Sequence, residues 1–249
     1  MHEVFKHAHP HKMAEAVKLG LWSGDTDITA EDILKVFAHY DCISCKLGKL
    51  NHPQRNLGSG VNCYPPGYTL SIDFVGPIHP VSYNGFKYFY HIVDVATGYS
   101  SSILVKSKKE FINVLTDVIM FYKRHNWLVK VIRVDADRLL ISDEISTYLD
   151  SHQLIYEPAI PDEQNQNPVE RYLQNLFKGE STLLHSQTML SSKYWSLGLL
   201  AYNEQIISIP NTLVTDSTPM EVVTGNPPNI AINYKFSFGE PVIFKKVKT

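Results

Sequence analysis

TLSIDFV, residues 69–75, alternates strictly: Leu70, Ile72 and Phe74 fall on one face, and Ser71, Asp73 and Val75 fall on the other. Alternation of this kind marks a strand, and it sets Asp73 mid-strand on the polar face. Two further β-rich runs follow, FKYFYHIVDVAT (86–97) and SSILVK (101–106), separated by a Gly-Tyr turn. The three segments read as an antiparallel meander. Beyond them, residues 108–125 place Phe111, Val114, Leu115, Val118, Ile119 and Tyr122 at helical spacing. A strand LVKVIRVDA (128–136), a helix around 142–152 and a short strand LIYEPAI (154–160) come next. Two helices complete the series, one opening at NQNPVERYLQNLFK (165–178) and one at KYWSLGLLAYNEQII (193–207), and the tail FGEPVIFKK reads as strand-like. The order βββαβαβαα predicts a mixed sheet flanked by helices, an α/β domain of about 150 residues.

The 249 residues leave room for this domain and a small satellite. Hydrophobic residues make up 44% of the chain and charged residues 19%, which is the composition of a globular protein with ample core. No apolar run reaches the roughly 18 residues a membrane helix needs, and Met1-His2-Glu3 does not begin a secretory signal. The formal net charge of −2 gives no overall basic footprint, which counts against a simple high-affinity nucleic-acid binder. Three cysteines, Cys42, Cys45 and Cys63, are too few for a disulfide framework and fit a reducing compartment.

Residues 1–50 are rich in histidine and end near Cys42-Ile-Ser-Cys45, a spacing suited to tetrahedral zinc. Zinc needs two more ligands there, and His2, His7, His9, His11 and His39 are the candidates. His7 and His11, four apart, would share a helix face. Residues 51–66 (NHPQRNLGSGVNCYPP) read as a linker, dense in Pro, Gly and Asn. Cys63 lies within it.

The helix at 165–178 carries an acid in its first turn. Asn167 suits the cap and Pro168 the first helical position. Val169, Tyr172, Leu173, Leu176 and Phe177 make one apolar face, and Glu170, Gln174 and Lys178 form a polar row on another. Alone, Glu170 is a solvated acid favoured by the helix dipole. Two other acids change its meaning: Asp73 in mid-strand, and Asp135 at the end of VIRVD with Arg133 and Asp137 on its face. Carboxylates gather only where a cation offsets their repulsion. An all-oxygen set suits two Mg²⁺ or Mn²⁺ ions, which can clamp both oxygens of an in-line phosphoryl displacement. Asp137 is the rival for Asp135.

Over nearly its whole length the chain resembles the integrase of copia-type LTR retrotransposons. The matching pieces are DFVGP (73–77), IRVD (132–135), VER (169–171), TPMEVVTGNPPN (218–229) and FGEPVIF (238–244). The resemblance implies an RNase H-like core with a mixed five-stranded sheet at 67–225, a helical His2Cys2 zinc domain at 1–50, and the start of a C-terminal region at 226–249. It implies a catalytic triad of Asp73, Asp135 and Glu170 that binds the two divalent ions and carries out 3′-end processing and strand transfer. Gln174 and Lys178 would then lie towards DNA phosphates. The family's His-x4-His phrase, read with VKLGL (17–21), makes His2 and His7 the zinc ligands beside Cys42 and Cys45, with His7 and His11 as the alternative pair. Double-stranded DNA, further copies of the chain and host chromatin or targeting factors are the implied partners, in the nucleus and, earlier, in a cytoplasmic particle; no membrane is involved. The chain departs from the family after Asp135, where Ala-Asp-Arg-Leu-Leu-Ile contains no glycine, and it ends soon after FGEPV without the expected basic tail. The alternative expectation is therefore a fragment or a host-retained, non-catalytic DNA-binding or scaffold protein.

Overall fold

The computed structural model of the chain describes residues 5, 7–22, 27–38, 42–48, 64–134, 143–158, 168–186, 190–229, 231 and 235–241. The alternating stretch is strand β1 (Thr69–Val75), followed by β2 (Tyr88–Asp94), β3 (Ser100–Val105), β4 (Val131–Val134) and β5 (Ile155–Pro158). They form one five-stranded sheet in the order β3-β2-β1-β4-β5. β1 lies antiparallel to β2, with Ile72 opposite Ile92 and Asp73 opposite His91. On its other edge β1 runs parallel to β4, with Ile72 opposite Val134. The α/β class and the mixed, helix-flanked sheet are as the sequence predicts.

Helices cover both faces because the sheet carries apolar side chains on both. On one face Leu70, Ile72, Ile92 and Ile132 meet Leu115, Val118 and Tyr122 of α4 (Phe111–Arg124) and Ile145 and Leu149 of α5 (Asp143–Ser151). Each such side chain, fully buried, contributes about 1.5–3 kcal/mol. On the other face Phe89, Val75 and Leu104 meet α6 (Pro168–Ser186) and α7 (Trp195–Ile207). The polar face of β1 is therefore not solvated: Ser71 is fully buried and Asp73 half-buried on the side that α6 covers.

The apolar stripe on α6 behaves as its spacing predicts. Val169, Leu173 and Leu176 are buried, and the Phe177 ring meets Phe89 edge-on at 6.0 Å. Close approach of α6 to α7 depends on Gly179, where an added Cβ would fall 2.0 Å from the Tyr202 ring. The TPMEVVTG phrase has a plain structural meaning. Thr218 caps α8 (Pro219–Thr224) by accepting from the Glu221 amide at 3.1 Å, and Gly225 ends it at φ +74°. Trp127 Nε1 then donates to the Val223 carbonyl at 2.8 Å, tying this helix to the core.

Three helices precede the sheet: α1 (Pro10–Lys18), α2 (Ala30–Phe37) and α3 (Ile43–Gly48). Phe5, Ala8, Met13, Ala14 and Ile33 make their own small core. The module docks on the sheet domain, with α3 against α6, Trp22 Nε1 donating to the Ser208 carbonyl at 3.0 Å, and the Lys12 ammonium donating to the Pro210 carbonyl at 2.8 Å. Of the expected linker at 51–66 only residues 64–66 are described, and the Asn167 cap lies outside the described residues. In the tail, Phe238–Pro241 form a turn and no strand, and the rest of FGEPVIFKK lies outside.

Candidate functional site

His7 is fully buried just ahead of α1, in a left-handed backbone conformation at φ 61°. Its Nδ1 lies 3.2 Å from Cys42 Sγ and 3.6 Å from Cys45 Sγ. A tetrahedral zinc, bonded at about 2.0–2.1 Å to nitrogen and 2.3 Å to sulfur, sets its nitrogen and sulfur ligands about 3.5 Å apart. The spacing is that of atoms sharing one ion. The Cys45 amide points at Cys42 Sγ at 3.5 Å, as a knuckle amide does when it supports a thiolate. Both cysteines are free thiols. Among the described residues, His7, Cys42 and Cys45 form the metal-competent group, with ligand atoms within 4.8 Å of one another. His11 stands apart from it, exposed on α1 and stacked on His9 at 5.5 Å, so the His7–His11 pairing is not formed. His2, the expected fourth ligand, lies outside the described residues, as do His39 and Cys63.

The acids are placed by the sheet. Asp73 is on the central strand, hydrogen-bonded on both edges, and its Oδ1 accepts from the Phe74 amide at 2.7 Å. Asp135 follows directly on Val134, the last residue of β4. It lies outside the described residues, together with Asp137, Arg138 and the glycine-less segment. Arg133, expected on the same face as Asp135, is held by Glu157 across the β4–β5 ladder at 2.9 and 3.0 Å. Glu170 is half-buried in the first turn of α6, which packs over β1 and β2. That turn is pinned from below: the Tyr172 hydroxyl lies where a Cβ on Gly98 would stand, 2.0 Å away, so the β2–β3 turn at φ +71° needs glycine. On the same helix Gln174 is exposed and Lys178 half-buried.

Two groups beside these acids are not legible in the sequence. His91 faces Asp73 across the ladder, is fully buried, and has Nδ1 3.0 Å from the Ser102 hydroxyl. Burial pushes its pKa down to about 3, so it is neutral and brings no positive charge to Asp73. Asp94 is buried at the other end of β2, accepting from the Ala96 amide at 3.0 Å and the Thr97 hydroxyl at 2.7 Å. Burial raises its pKa against those hydrogen bonds. It closes the turn that Tyr172 rests on.

A further acid, Glu180, sits on α6 facing α7 across Gly198, where an added Cβ would meet its Cγ at 3.4 Å. Burial pushes its carboxyl up to about 7. A raised folded pKa means that the fold prefers the protonated acid. The stability from this preference is complete below about 4.5 and is lost as pH rises to about 7. Glu180→Gln is therefore expected to gain about 1–3 kcal/mol over wild type at pH 8. Melting temperatures should converge at pH 4 and separate at pH 8; equal curves at both values would refute the assignment.

No protein-family model matches the chain.

Proposed function

We propose that the chain is a metal-dependent DNA-joining enzyme of the copia-type integrase kind, with an RNase H-like core. The observation that carries this reading is the placement of Asp73: mid-way along the central strand, under the helix that bears Glu170, and beside a parallel strand that runs directly into Asp135. Asp73, Asp135 and Glu170 would hold two Mg²⁺ or Mn²⁺ ions, whose donor set is all carboxylate oxygen, as hard cations require. When bound, such a pair stabilises the attacking and leaving oxygens of an in-line phosphoryl transfer.

The chain's own residues supply position and charge. Paired on both edges, β1 gives Asp73 little freedom to shift, so its carboxylate is presented in fixed geometry. Neutral His91 leaves the neighbouring carboxylates for divalent cations to neutralise. Gln174 and Lys178 follow Glu170 along its helix at intervals of four, which suits them to contact phosphates of a DNA end. His7, Cys42 and Cys45, with His2, would hold one structural zinc that orders the N-terminal module. Because two ends must be joined together, the working form is a multimer acting on nuclear DNA.

The test is strand transfer from an oligonucleotide duplex ending in CA, using zinc-loaded protein with Mn²⁺ or without added divalent ions. Transfer should require Mn²⁺ and should vanish in Asp135→Asn while surviving in Asp137→Asn. The reverse pattern would move the second ligand by two residues, and no transfer under any condition would overturn the enzymatic reading. The second reading, a non-catalytic DNA-binding derivative, is favoured by the missing glycine after Asp135 and predicts duplex binding without transfer.

A further inference from the structure

Because β1 and β2 are antiparallel with Val75 opposite Phe89, and β2 and β3 pair Tyr88 with Val105, three strand ends meet at one end of the sheet. It is the end towards which Asp73 lies. Lys87 directly precedes β2 and Lys106 directly follows β3, one step past the last pair, and Lys108 and Lys109 follow in the next turn. All four are exposed. The Lys108 ammonium rests 4.6 Å from the centroid of Phe74, the residue after Asp73, and the Lys106 ammonium lies 5.9 Å from that of Phe86.

Like charges across neighbouring strands are destabilising, and the chain as a whole carries a net charge of −2. Glu110 forms no ion pair with them among the described residues: its Oε1 accepts from the backbone amides of Lys106 and Ser107, at 2.9 Å each. Among the described residues Lys87, Lys106 and Lys109 are in no ion pair. A polyanion laid along this end of the sheet would supply the missing counter-charge. We infer that Lys87, Lys106 and Lys109 form a track for the phosphate backbone of duplex DNA, leading across β3 and β2 to the carboxylate on β1. This rests on the function proposed above and adds to it the side from which DNA approaches. Two strand intervals of about 4.8 Å, roughly 10 Å in all, separate β3 from β1.

The test is fluorescence anisotropy of a labelled duplex with zinc-loaded protein and no Mg²⁺ or Mn²⁺, over a range of salt concentrations. Lys87→Ala/Lys106→Ala/Lys109→Ala should weaken binding more than tenfold. It should also lower the slope of log K against log salt by about 2–3, near 0.9 for each phosphate that a lysine no longer neutralises. The Arg triple variant should bind as wild type does. A matched triple at the far end of α4 and beside β4, Lys123→Ala/Arg124→Ala/Lys130→Ala, should leave the slope unchanged. An unaltered slope in the first variant, or an equal fall in the matched one, would overturn the track; melting curves confirm that each variant is folded. The outcome is separable from that of the enzymatic reading. A wild type that binds through these lysines yet never transfers strands keeps the track and loses the enzyme; active transfer with an unaltered slope in the first variant does the opposite.

Discussion

Cys42→Ser is expected to drop bound zinc from about one per chain towards none and to unfold the N-terminal module, while the five-stranded sheet keeps its own transition. The scale of the effect comes from comparing two quantities. Structural zinc binding contributes about 10–16 kcal/mol in small modules, against about 5–15 kcal/mol for the net stability of a whole domain. The module's own core is small, built around Phe5, Met13 and Ile33, and cannot replace that contribution. Elemental analysis gives the zinc content, and Trp22 gives the structure. Its indole is half-buried, stacked on Phe5 at 4.8 Å and bonded to the Ser208 carbonyl. Undocking should therefore shift its emission to the red. Equal zinc in variant and wild type would reject the site.

Asp73→Asn is expected to reduce Mn²⁺-dependent strand transfer on the order of 10³-fold, about 4 kcal/mol of transition-state stabilisation. Asparagine keeps the shape and the oxygen that accepts from the Phe74 amide, so the fold should be retained. What it removes is the negative charge that would hold a divalent ion. Duplex affinity without metal should be undiminished, since a repulsive charge has gone from the DNA side. Transfer within tenfold of wild type would remove Asp73 from the catalytic set, whatever the other acids do.

How far the sequence could be read depended on the range of the interactions involved. The alternation of 69–75 and the spacing on α6 are local patterns, and the structure follows both. The Cys42-x2-Cys45 knuckle is local too, and it meets His7, the histidine common to both expected pairs. Setting His11 aside needed the start of α1, because a helix beginning at Pro10 turns His11 outwards, while His2 lies outside the described residues. His91 and Asp94 were invisible for a stronger reason. Each looks like an ordinary residue of a strand and its turn, and each becomes buried only because β2 lies inside the sheet. The lysines at 87 and 106 were likewise unremarkable until strand pairing set them across from each other. Polar residues on β1 pointed to a special face, but only the position of α6 showed that this face is covered.

The order of strands has a consequence for how the chain is made. As residues leave the ribosome, β1, β2 and β3 are complete within a single stretch and can pair by two local hairpins, with α4 following to cover one face. The second edge of β1 has no partner until Val131–Val134 emerges, and its other face waits for α6 and α7. During that interval the nascent chain presents the unpaired backbone edge of a strand rich in apolar side chains, the kind of edge that pairs wrongly with other chains. A ribosome stalled between α4 and β4 would hold the aggregation-prone form of this protein, and chaperone contact should be greatest there and fall once β4 has been added.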